Sequence, residues 1–425
     1  MENRKNKKRY IAELSVFICI LASFYYRPIA LIGLFIGCVY IVGTNTTNSL
    51  CILFFVLPFA QVFKLSISST SLFTLLEFIF VGKYLINNRN LKTTYILYVV
   101  GFTFFVFWDS VLGDNIDILK TLKMFMSLSL LSFFINEYRE NDLKYYTESY
   151  CQGLIISSFL GLFKKNIPGM AVLYTDFNTQ FIAGERIVRF SATFRDPNYY
   201  AIAVIVALGT TICLFAREGI NFKRCLYIIM LSIFGFTTYS KSYILMFVLI
   251  VLIFFIVIAK NKKYSIIIFS ATVLVWLVLS GVLKNNRVIN TILTRFDSSN
   301  NIDSVTSGRT SIWISYMTYI KSNMRVYLFG DGIGAPYLGG AAHNMYVETW
   351  YYVGIVGMLL FFATLIGIFS QRKLVKKRTV INWYLIIIVF SMYAFLCGFT
   401  GFEFPFYMMF CWVVFNSQLS KGYGV

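Results

Sequence analysis

Apolar stretches recur along almost the whole chain, and each is long enough, or nearly long enough, to cross a lipid bilayer. Only 13% of the 425 residues are charged and 58% are hydrophobic, which excludes an ordinary soluble domain. Inside a bilayer the backbone must satisfy its own hydrogen bonds, so such stretches form helices or the strands of a closed barrel. The alternating pattern of barrel strands is absent from the sequence. The sequence therefore predicts an all-α, polytopic membrane protein with a single domain over residues 1–425.

The predicted transmembrane helices number about fourteen, within a range of about 12–14 because several stretches are short. The predicted spans are centred in 11–26, 28–43, 50–65, 70–86, 94–108, 116–135, 149–163, 198–216, 225–239, 243–259, 264–281, 345–369, 381–398 and 402–418.

Basic residues in the short loops predict the orientation of these helices. The basic run at 3–9 precedes the first span, and the basic loops at 89–92, 217–224, 260–263 and 372–378 fall on the same side if the spans alternate. This pattern explains most of the net charge of +19 and predicts that both termini are cytoplasmic. A soluble basic domain, which nucleic-acid binding would need, is not found in the sequence.

The eight cysteines lie within or beside the predicted spans and form no CxxC pair. Cysteine pairs at that spacing are the usual sign of a metal or redox centre. We therefore expect these cysteines to be core residues, and we expect no metal and no cofactor.

Two predicted external loops, 164–197 and 282–342, are long for connections between membrane helices, and such loops are usually functional. The guanidinium group is a planar, permanently charged fork that suits phosphate oxygens. Two interpretations stay open, namely a phosphate-bearing ligand at the outer surface, or solvated surface charge with contacts to lipid headgroups. The arginines of the two loops are Arg186, Arg189, Arg195, Arg287, Arg295, Arg309 and Arg325.

The first loop leads directly into a predicted span through the run at 189–198. Asp196 is a natural helix N-cap, and Pro197 suits the first helical position. A helix N-terminus is a favourable place for an anion. The cap would hold Arg189 and Arg195 just above that place, with Asn198 in the first turn.

The second loop has apolar and aromatic residues at helical spacing between Trp313 and Tyr327. This pattern predicts an amphipathic helix on the membrane surface, with its rings at headgroup level and Arg309 in its first turn. Ser307 is the predicted cap. The glycine-rich run at 330–334 follows no strand and has no Walker lysine, so we interpret it as a bend that folds the helix back over the site.

The only histidine, His343, stands where the second loop gives way to the span 345–369. An imidazole can take a proton from a hydroxyl, and the helix N-terminus and nearby arginines would keep it neutral. Asn344 follows directly, and Glu348 is an alternative base one turn further on. The structural alternative is that His343 caps its span or bonds within a polar loop.

Together these runs resemble the O-antigen polymerase and ligase family. The resemblance covers about residues 185–370. Ala192 stands where the family commonly has glycine, and Arg189 and Arg195 compete for a role usually given to one arginine. The motifs that carry the resemblance are the run at 189–198, Gly308-Arg309 with Trp313, Leu328-Phe329-Gly330-x-Gly332-x-Gly334, and His343-Asn344 followed by Gly354-x-x-Gly357.

The family consists of multi-span, GT-C type glycosyltransferases that act on glycans carried by polyprenyl diphosphate at the outer face of the bacterial cytoplasmic membrane. The resemblance therefore implies a lipid-linked oligosaccharide and the bilayer as partners, with a chain-length regulator as a further partner class and no nucleic acid. It implies His343 as the general base. It also implies Arg309 and Arg189, supported by Arg195, as a diphosphate clamp. The supporting or alternative residues are Asn344, Glu348, Asp196 and Asn198.

Three functions remain open from the sequence. Polymerisation of lipid-linked repeat units is favoured because that activity serves capsules, exopolysaccharides and O-antigens alike. The nearest alternative is an O-antigen ligase, which moves the glycan onto lipid A core. A flippase or other secondary transporter is the third, because Glu77, Lys83 and Glu403 lie within or beside apolar stretches, although no internal duplication is detected.

Overall fold

Helices form nearly all of the part of the chain that this computed structural model describes. The described residues are 2–64, 71–87, 93, 95–163, 166, 179–182, 185–219, 221–259, 309–371, 391 and 404–416. The helices are α1 (Glu2–Ser23), α2 (Ile29–Gly43), α3 (Thr46–Val56), α4 (Phe73–Asn87), α5 (Gly101–Leu112), α6 (Ile118–Glu137), α7 (Leu143–Leu162), α8 (Pro197–Glu218), α9 (Phe222–Phe236), α10 (Lys241–Ala259), α11 (Arg309–Ser322), α12 (Met324–Leu328), α13 (Met345–Ser370) and α14 (Phe404–Asn416).

Short irregular elements extend some of these helices. A 3₁₀ helix, Leu57–Phe63, continues α3, and a π-helical turn, Tyr95–Val100, leads into α5. A second 3₁₀ turn, Glu140–Asp142, precedes α7. The first long loop contains a small antiparallel hairpin of β1 (Thr179–Ile182) and β2 (Glu185–Val188), in which Thr179 pairs with Val188.

Five helical segments of the described part are long and apolar enough to cross a membrane, which confirms the predicted helical membrane architecture in outline. They are Thr46–Phe63, Tyr95–Leu112, Ile118–Glu137, Pro197–Phe215 and Met345–Ser370. Shorter apolar helices cover Ile29–Gly43, Lys241–Leu252 and Phe404–Val413. The total of about fourteen spans stays a prediction. The predicted span 264–281, the predicted span 381–398 apart from residue 391, the loop segment 282–308 with its cap Ser307, and Glu403 lie outside the described residues.

Short polar side chains define where the helices of interest begin. The Asp117 carboxylate accepts a hydrogen bond from the backbone N–H of Lys120 at the start of α6 (2.9 Å). The Asp196 carboxylate does the same for Asn198 at the start of α8 (2.6 Å), with Pro197 at the first helical position. The predicted cap at Asp196 is confirmed. Such caps satisfy backbone donors that the helix itself leaves unpaired.

The hydrophobic core lies around α3, α7, α8 and α14. Phe54 of α3 is fully buried and its ring lies 4.9 Å from that of Phe410 and 5.6 Å from that of Tyr146, centroid to centroid. In α8, residues 200–208 are all buried, so this helix is surrounded by protein on every side. A helix that is apolar all round belongs in the interior of a bundle.

The helix ends define two faces of the bundle. At one end of the bundle the Tyr84 hydroxyl donates to the Glu137 carboxylate at the end of α6 (3.3 Å), and Lys83 beside it donates to the carbonyl of Thr44 just before α3. The Thr47 hydroxyl at the start of α3 donates to Asp142 just before α7 (2.8 Å), so the end of α6 meets the start of α7 there and the two helices run antiparallel. The start of α6 and the end of α7 therefore lie on one face, together with the turn 113–117 between α5 and α6.

The end of α7 contacts the start of α8, where the Ser157 and Thr193 hydroxyls are 2.6 Å apart. The backbone N–H of Gly334 donates to the carbonyl of Asn115 in the turn (2.9 Å). This end of the bundle, which also holds the start of α13, is called the histidine face.

Candidate functional site

The backbone at His343 is left-handed, with φ of 49°. A left-handed conformation costs about 1–2 kcal/mol for a residue with a Cβ, so its surroundings must impose it. Asn344 follows as the N-cap of α13, and its side-chain oxygen accepts hydrogen bonds from the backbone N–H groups of Tyr346 (3.0 Å) and Val347 (3.3 Å). The cap is thus Asn344 and not the imidazole, which is half-buried at the mouth of the helix.

Glu348, in the first turn of α13, also holds the loop that contains His343. Its side chain is buried, and its carboxyl group accepts hydrogen bonds from the backbone N–H groups of His343 and Ala342. A carboxylate that reaches back to the residues before its own helix is a variant of the capping box. This geometry favours a positioning role for Glu348 over that of an alternative base.

Helix α13 is kinked at Gly354, where φ is 65° and ψ is −176°. The kink interrupts the helical hydrogen-bond ladder, so the carbonyl groups of Tyr351 and Tyr352 need other donors. The backbone N–H groups of Asp331 (2.9 Å) and Gly332 (3.0 Å) supply them. The glycine-rich run at 330–334 is therefore a docking element for the first part of α13, and it is not a phosphate loop in this arrangement.

The close approach explains why two motif positions are glycine. A Cβ on Gly354 would lie 2.3 Å from the carbonyl oxygen of Leu328, and a Cβ on Gly330 would lie 2.4 Å from that of Tyr352. Both glycines have positive φ. Any side chain at either position would push two backbones apart.

Helix α11 folds back over the His343 loop. The indole Nε1 of Trp313 donates to the carbonyl of Ala342 (2.7 Å), and the Tyr316 hydroxyl donates to the carbonyl of Gly340 (3.0 Å). Burial raises the pKa of the Tyr316 phenol to about 12, so it stays protonated as a donor. Arg309 is one helical turn before Trp313 and on the same side of α11, so it faces the part of the protein that holds His343.

The direction of the aromatic rings in α11 differs from the prediction. Tyr316 is fully buried, and its ring packs edge-on against that of Tyr351 with centroids 5.0 Å apart. The rings thus contact the protein and not the level of the lipid headgroups. Four of the six exposed positions of α11 carry hydroxyl groups: the exposed residues are Ser311, Ile314, Ser315, Thr318, Lys321 and Ser322.

The first arginine motif forms its own assembly on the histidine face. Arg189 is buried, and it donates from Nε to the carbonyl of Thr238 (2.9 Å) and from Nη2 to Oδ1 of Asn198 (2.8 Å). The same oxygen of Asn198 accepts from the Ser240 hydroxyl (3.1 Å). Arg189 and Asn198 therefore tie the loop to the turn between α9 and α10. Arg195, half-buried beside the α8 cap, is the more accessible arginine.

Strained backbone is concentrated on this face. Four residues other than glycine have positive φ in the part of the chain that the structure describes: Asp114, Ala192, Tyr239 and His343. Each lies in a loop on the histidine face. Glycine would adopt the left-handed backbone of Ala192 without strain. Strain of this kind collects at functional sites, where the surrounding structure holds it.

Comparison with known protein families gives a match over the segment that contains Arg309 and His343. Residues 226–362 match the family model described as O-antigen ligase. Over that segment the chain is similar to the O-antigen ligase family. The match runs from α9 into α13 and confirms the resemblance over this part of the predicted 185–370, while the run at 189–198 lies outside it. No curated protein and no solved structure matches the chain.

The matched segment brings some predicted site residues into direct association. His343, Asn344 and Glu348 share hydrogen bonds at the start of α13, and the helix that begins with Arg309 docks on the same loop. Arg189 and Asn198 form the separate assembly described above, with Asp196 and Arg195 beside it. Both assemblies lie on the histidine face.

One residue on this face lies outside the sequence motifs described above. Lys120, in the first turn of α6, donates from Nζ to the carbonyl of Ile333 (3.2 Å) and lies 5.8 Å from the centroid of the Tyr352 ring. The sequence carried one signal, a lysine at the predicted outer end of a span, against the positive-inside bias.

Proposed function

We propose that the protein polymerises undecaprenyl-diphosphate-linked oligosaccharide repeat units into a surface polysaccharide at the outer face of the bacterial cytoplasmic membrane. The observation that carries this proposal is the half-buried His343, on strained backbone, beneath the helix that begins with Arg309, in the segment similar to the O-antigen ligase family. In this proposal the histidine face is extracytoplasmic and both termini are cytoplasmic, in agreement with the basic loops.

The chemistry requires one proton acceptor. An acceptor hydroxyl attacks the anomeric carbon of the lipid-linked sugar, and the bond from that carbon to the diphosphate oxygen breaks. The Nε2 or Nδ1 atom of His343 accepts the hydroxyl proton as the new glycosidic bond forms. General-base assistance of this kind is worth about 10²–10⁴ in rate.

The departing diphosphate requires cations. Arg309 and Arg195 are the proposed clamp, because a guanidinium fork binds two phosphate oxygens and stabilises the charge that develops on the leaving group. Arg189 has a supporting role in this scheme, since its Nε and Nη2 already hold Thr238 and Asn198. Asp196 and Asn198 set the geometry of the loop that carries Arg195.

Ligation onto lipid A core is the alternative, because it uses the same donor and the same leaving group. Glycan analysis of a strain that lacks the protein separates the two functions. Single lipid-linked repeat units accumulate if polymerisation is lost, whereas full-length lipid-linked chains accumulate if ligation is lost. Accumulation of full-length chains would contradict our proposal.

The transporter alternative loses one of its supports. The sequence places Lys83 within or beside an apolar stretch. In the structure its Nζ atom donates to the carbonyls of Ile41 (2.6 Å) and Thr44 at the end of α2. It therefore acts as a C-terminal cap for that helix, a common structural role for lysine.

A further inference from the structure

We propose that Lys120 is a third cation of the diphosphate site, in addition to the two arginines. The inference rests on the proposed function, because it concerns the same site and the same donor. It deepens that proposal by assigning a binding role to a residue of α6, a helix that lies outside the matched family segment.

Lys120 lies against the part of α13 that follows His343. Its ammonium group is 5.8 Å from the Tyr352 ring centroid and interacts electrostatically with the carboxylate of Glu348, one turn before Tyr352 on the same side of the helix. Glu348 in turn bonds to the backbone of His343. At 1.5 Å per residue, Lys120 is therefore alongside α13 at about 8–14 Å along the helix axis from His343.

That separation suits a cation for the leaving group. In an in-line displacement the base and the leaving phosphate lie on opposite sides of the anomeric carbon, so a clamp residue belongs several ångströms away from the imidazole. A cation in contact with the imidazole would instead compete with proton transfer. Lys120 approaches from α6, whereas Arg309 approaches from α11, so the two charges reach the site from different elements.

The position is accessible and its charge is unusual for its location. The side chain of Lys120 keeps 30% of its surface exposed, and Tyr337 in the adjacent loop is 57% exposed. The Asp117 carboxylate is 3.7 Å from the Lys120 Nζ atom, so the two form an ion pair at a distance too long for a hydrogen bond. Exposed pairs of this kind contribute little to stability. Lysine residues are enriched at the cytoplasmic ends of transmembrane helices, so a lysine at the proposed outer end is unusual. Binding of an anionic ligand would account for its charge.

The structural alternative is that Lys120 only ties α6 to the loop at 330–334 through the carbonyl of Ile333. The two roles need different chemistry. Glutamine can donate a hydrogen bond to that carbonyl but carries no charge, whereas arginine keeps the charge. Three variants of the purified full-length protein therefore separate them: Lys120→Gln, Lys120→Arg and Lys120→Met. The control is Lys321→Met, the same loss of charge at an exposed position in the last turn of α11.

The measurement is kcat/KM for a synthetic polyprenyl-diphosphate-linked repeat unit, together with inhibition by an isoprenyl diphosphate and an isoprenyl monophosphate. We expect Lys120→Gln and Lys120→Met to lose about tenfold in kcat/KM and in diphosphate inhibition, and Lys120→Arg and Lys321→Met to stay within about twofold of the wild type. Monophosphate inhibition should change less than diphosphate inhibition.

Several results would overturn the inference while leaving the proposed function intact. These are wild-type activity in Lys120→Gln, an equal loss in Lys120→Arg, or an equal loss in Lys321→Met. Absence of any product with the wild-type protein would instead contradict the proposed function. Size-exclusion profiles and thermal unfolding of each variant show that the protein is folded in every comparison.

Discussion

The carboxyl group of Glu348 accepts a hydrogen bond from the backbone N–H of His343, five residues earlier in the chain. This bond joins the first turn of α13 to a residue whose backbone is left-handed, and Ala342 donates to the same carboxyl group. The orientation of the only histidine therefore depends on a buried acid that need not touch substrate.

Replacement of Glu348 tests that dependence. Glutamine retains a carbonyl oxygen that can accept one of the two backbone N–H groups, so Glu348→Gln should keep activity within about tenfold of the wild type. Glu348→Ala leaves both donors unsatisfied and should lose about 10² or more in kcat. Initial rates with a lipid-linked repeat unit distinguish the two. If Glu348 were itself the base, both variants would be equally inactive.

Gly354 should tolerate no side chain. A Cβ at this position would lie 2.3 Å from the Leu328 carbonyl oxygen, and the positive φ adds strain. We expect Gly354→Ala to lower the free energy of unfolding by about 1–3 kcal/mol. Gly82 is the matched control, because it lies inside α4 and a Cβ added there would meet open space. Gly82→Ala should be neutral or slightly stabilising. Thermal unfolding in detergent measures both, and equal effects would contradict the account of the kink.

The hydrogen bond from Trp313 to Ala342 should affect activity more than folding. Phenylalanine keeps most of the ring but cannot donate, so Trp313→Phe loses a bond worth about 0.5–1.5 kcal/mol and should reduce kcat about threefold to tenfold. The control Ile314→Ala changes the neighbouring residue, which is 60% exposed, and should leave kcat unchanged. An effect of the same size in both variants would argue against a specific role for the docking of α11.

Substitutions of Arg189 and of Arg195 should change different properties of the protein. Arg189 is buried and holds Thr238 and Asn198, so Arg189→Lys should lower the thermal unfolding temperature as well as activity. Arg195→Lys should leave the unfolding temperature unchanged and raise KM for the lipid-linked donor about tenfold, because lysine cannot fork two phosphate oxygens. A loss of stability in Arg195→Lys with an unchanged KM would reverse the assignment.

Local signals predicted the elements that carry the site. Asp196 caps α8 as its sequence context indicated, and a helix occupies the region after Arg309 where aromatic residues recur at helical spacing. Both features depend on residues close together in the chain, and short-range physical chemistry controls them. Hydrophobicity and length likewise predicted helices that cross a bilayer.

Contacts between distant segments could not be predicted in this way. The partner of Arg189 is a carbonyl 49 residues later, and the partner of Lys120 is a carbonyl 213 residues later. Composition could also not show that Tyr316 faces protein and not lipid headgroups, since an aromatic ring suits both surroundings. The sequence showed Gly354 only as a glycine at a fixed spacing after Asn344, and the role of the kink depends on contacts with the loop at 330–334.

The most direct test of this account is the product pattern of the purified protein with a synthetic polyprenyl-diphosphate repeat unit. The wild-type protein should produce a ladder of products that differ by one repeat unit. His343→Ala should produce no ladder although it binds the donor and unfolds at the wild-type temperature, because the proton acceptor is lost while the cations remain. A normal ladder from His343→Ala would contradict the central claim.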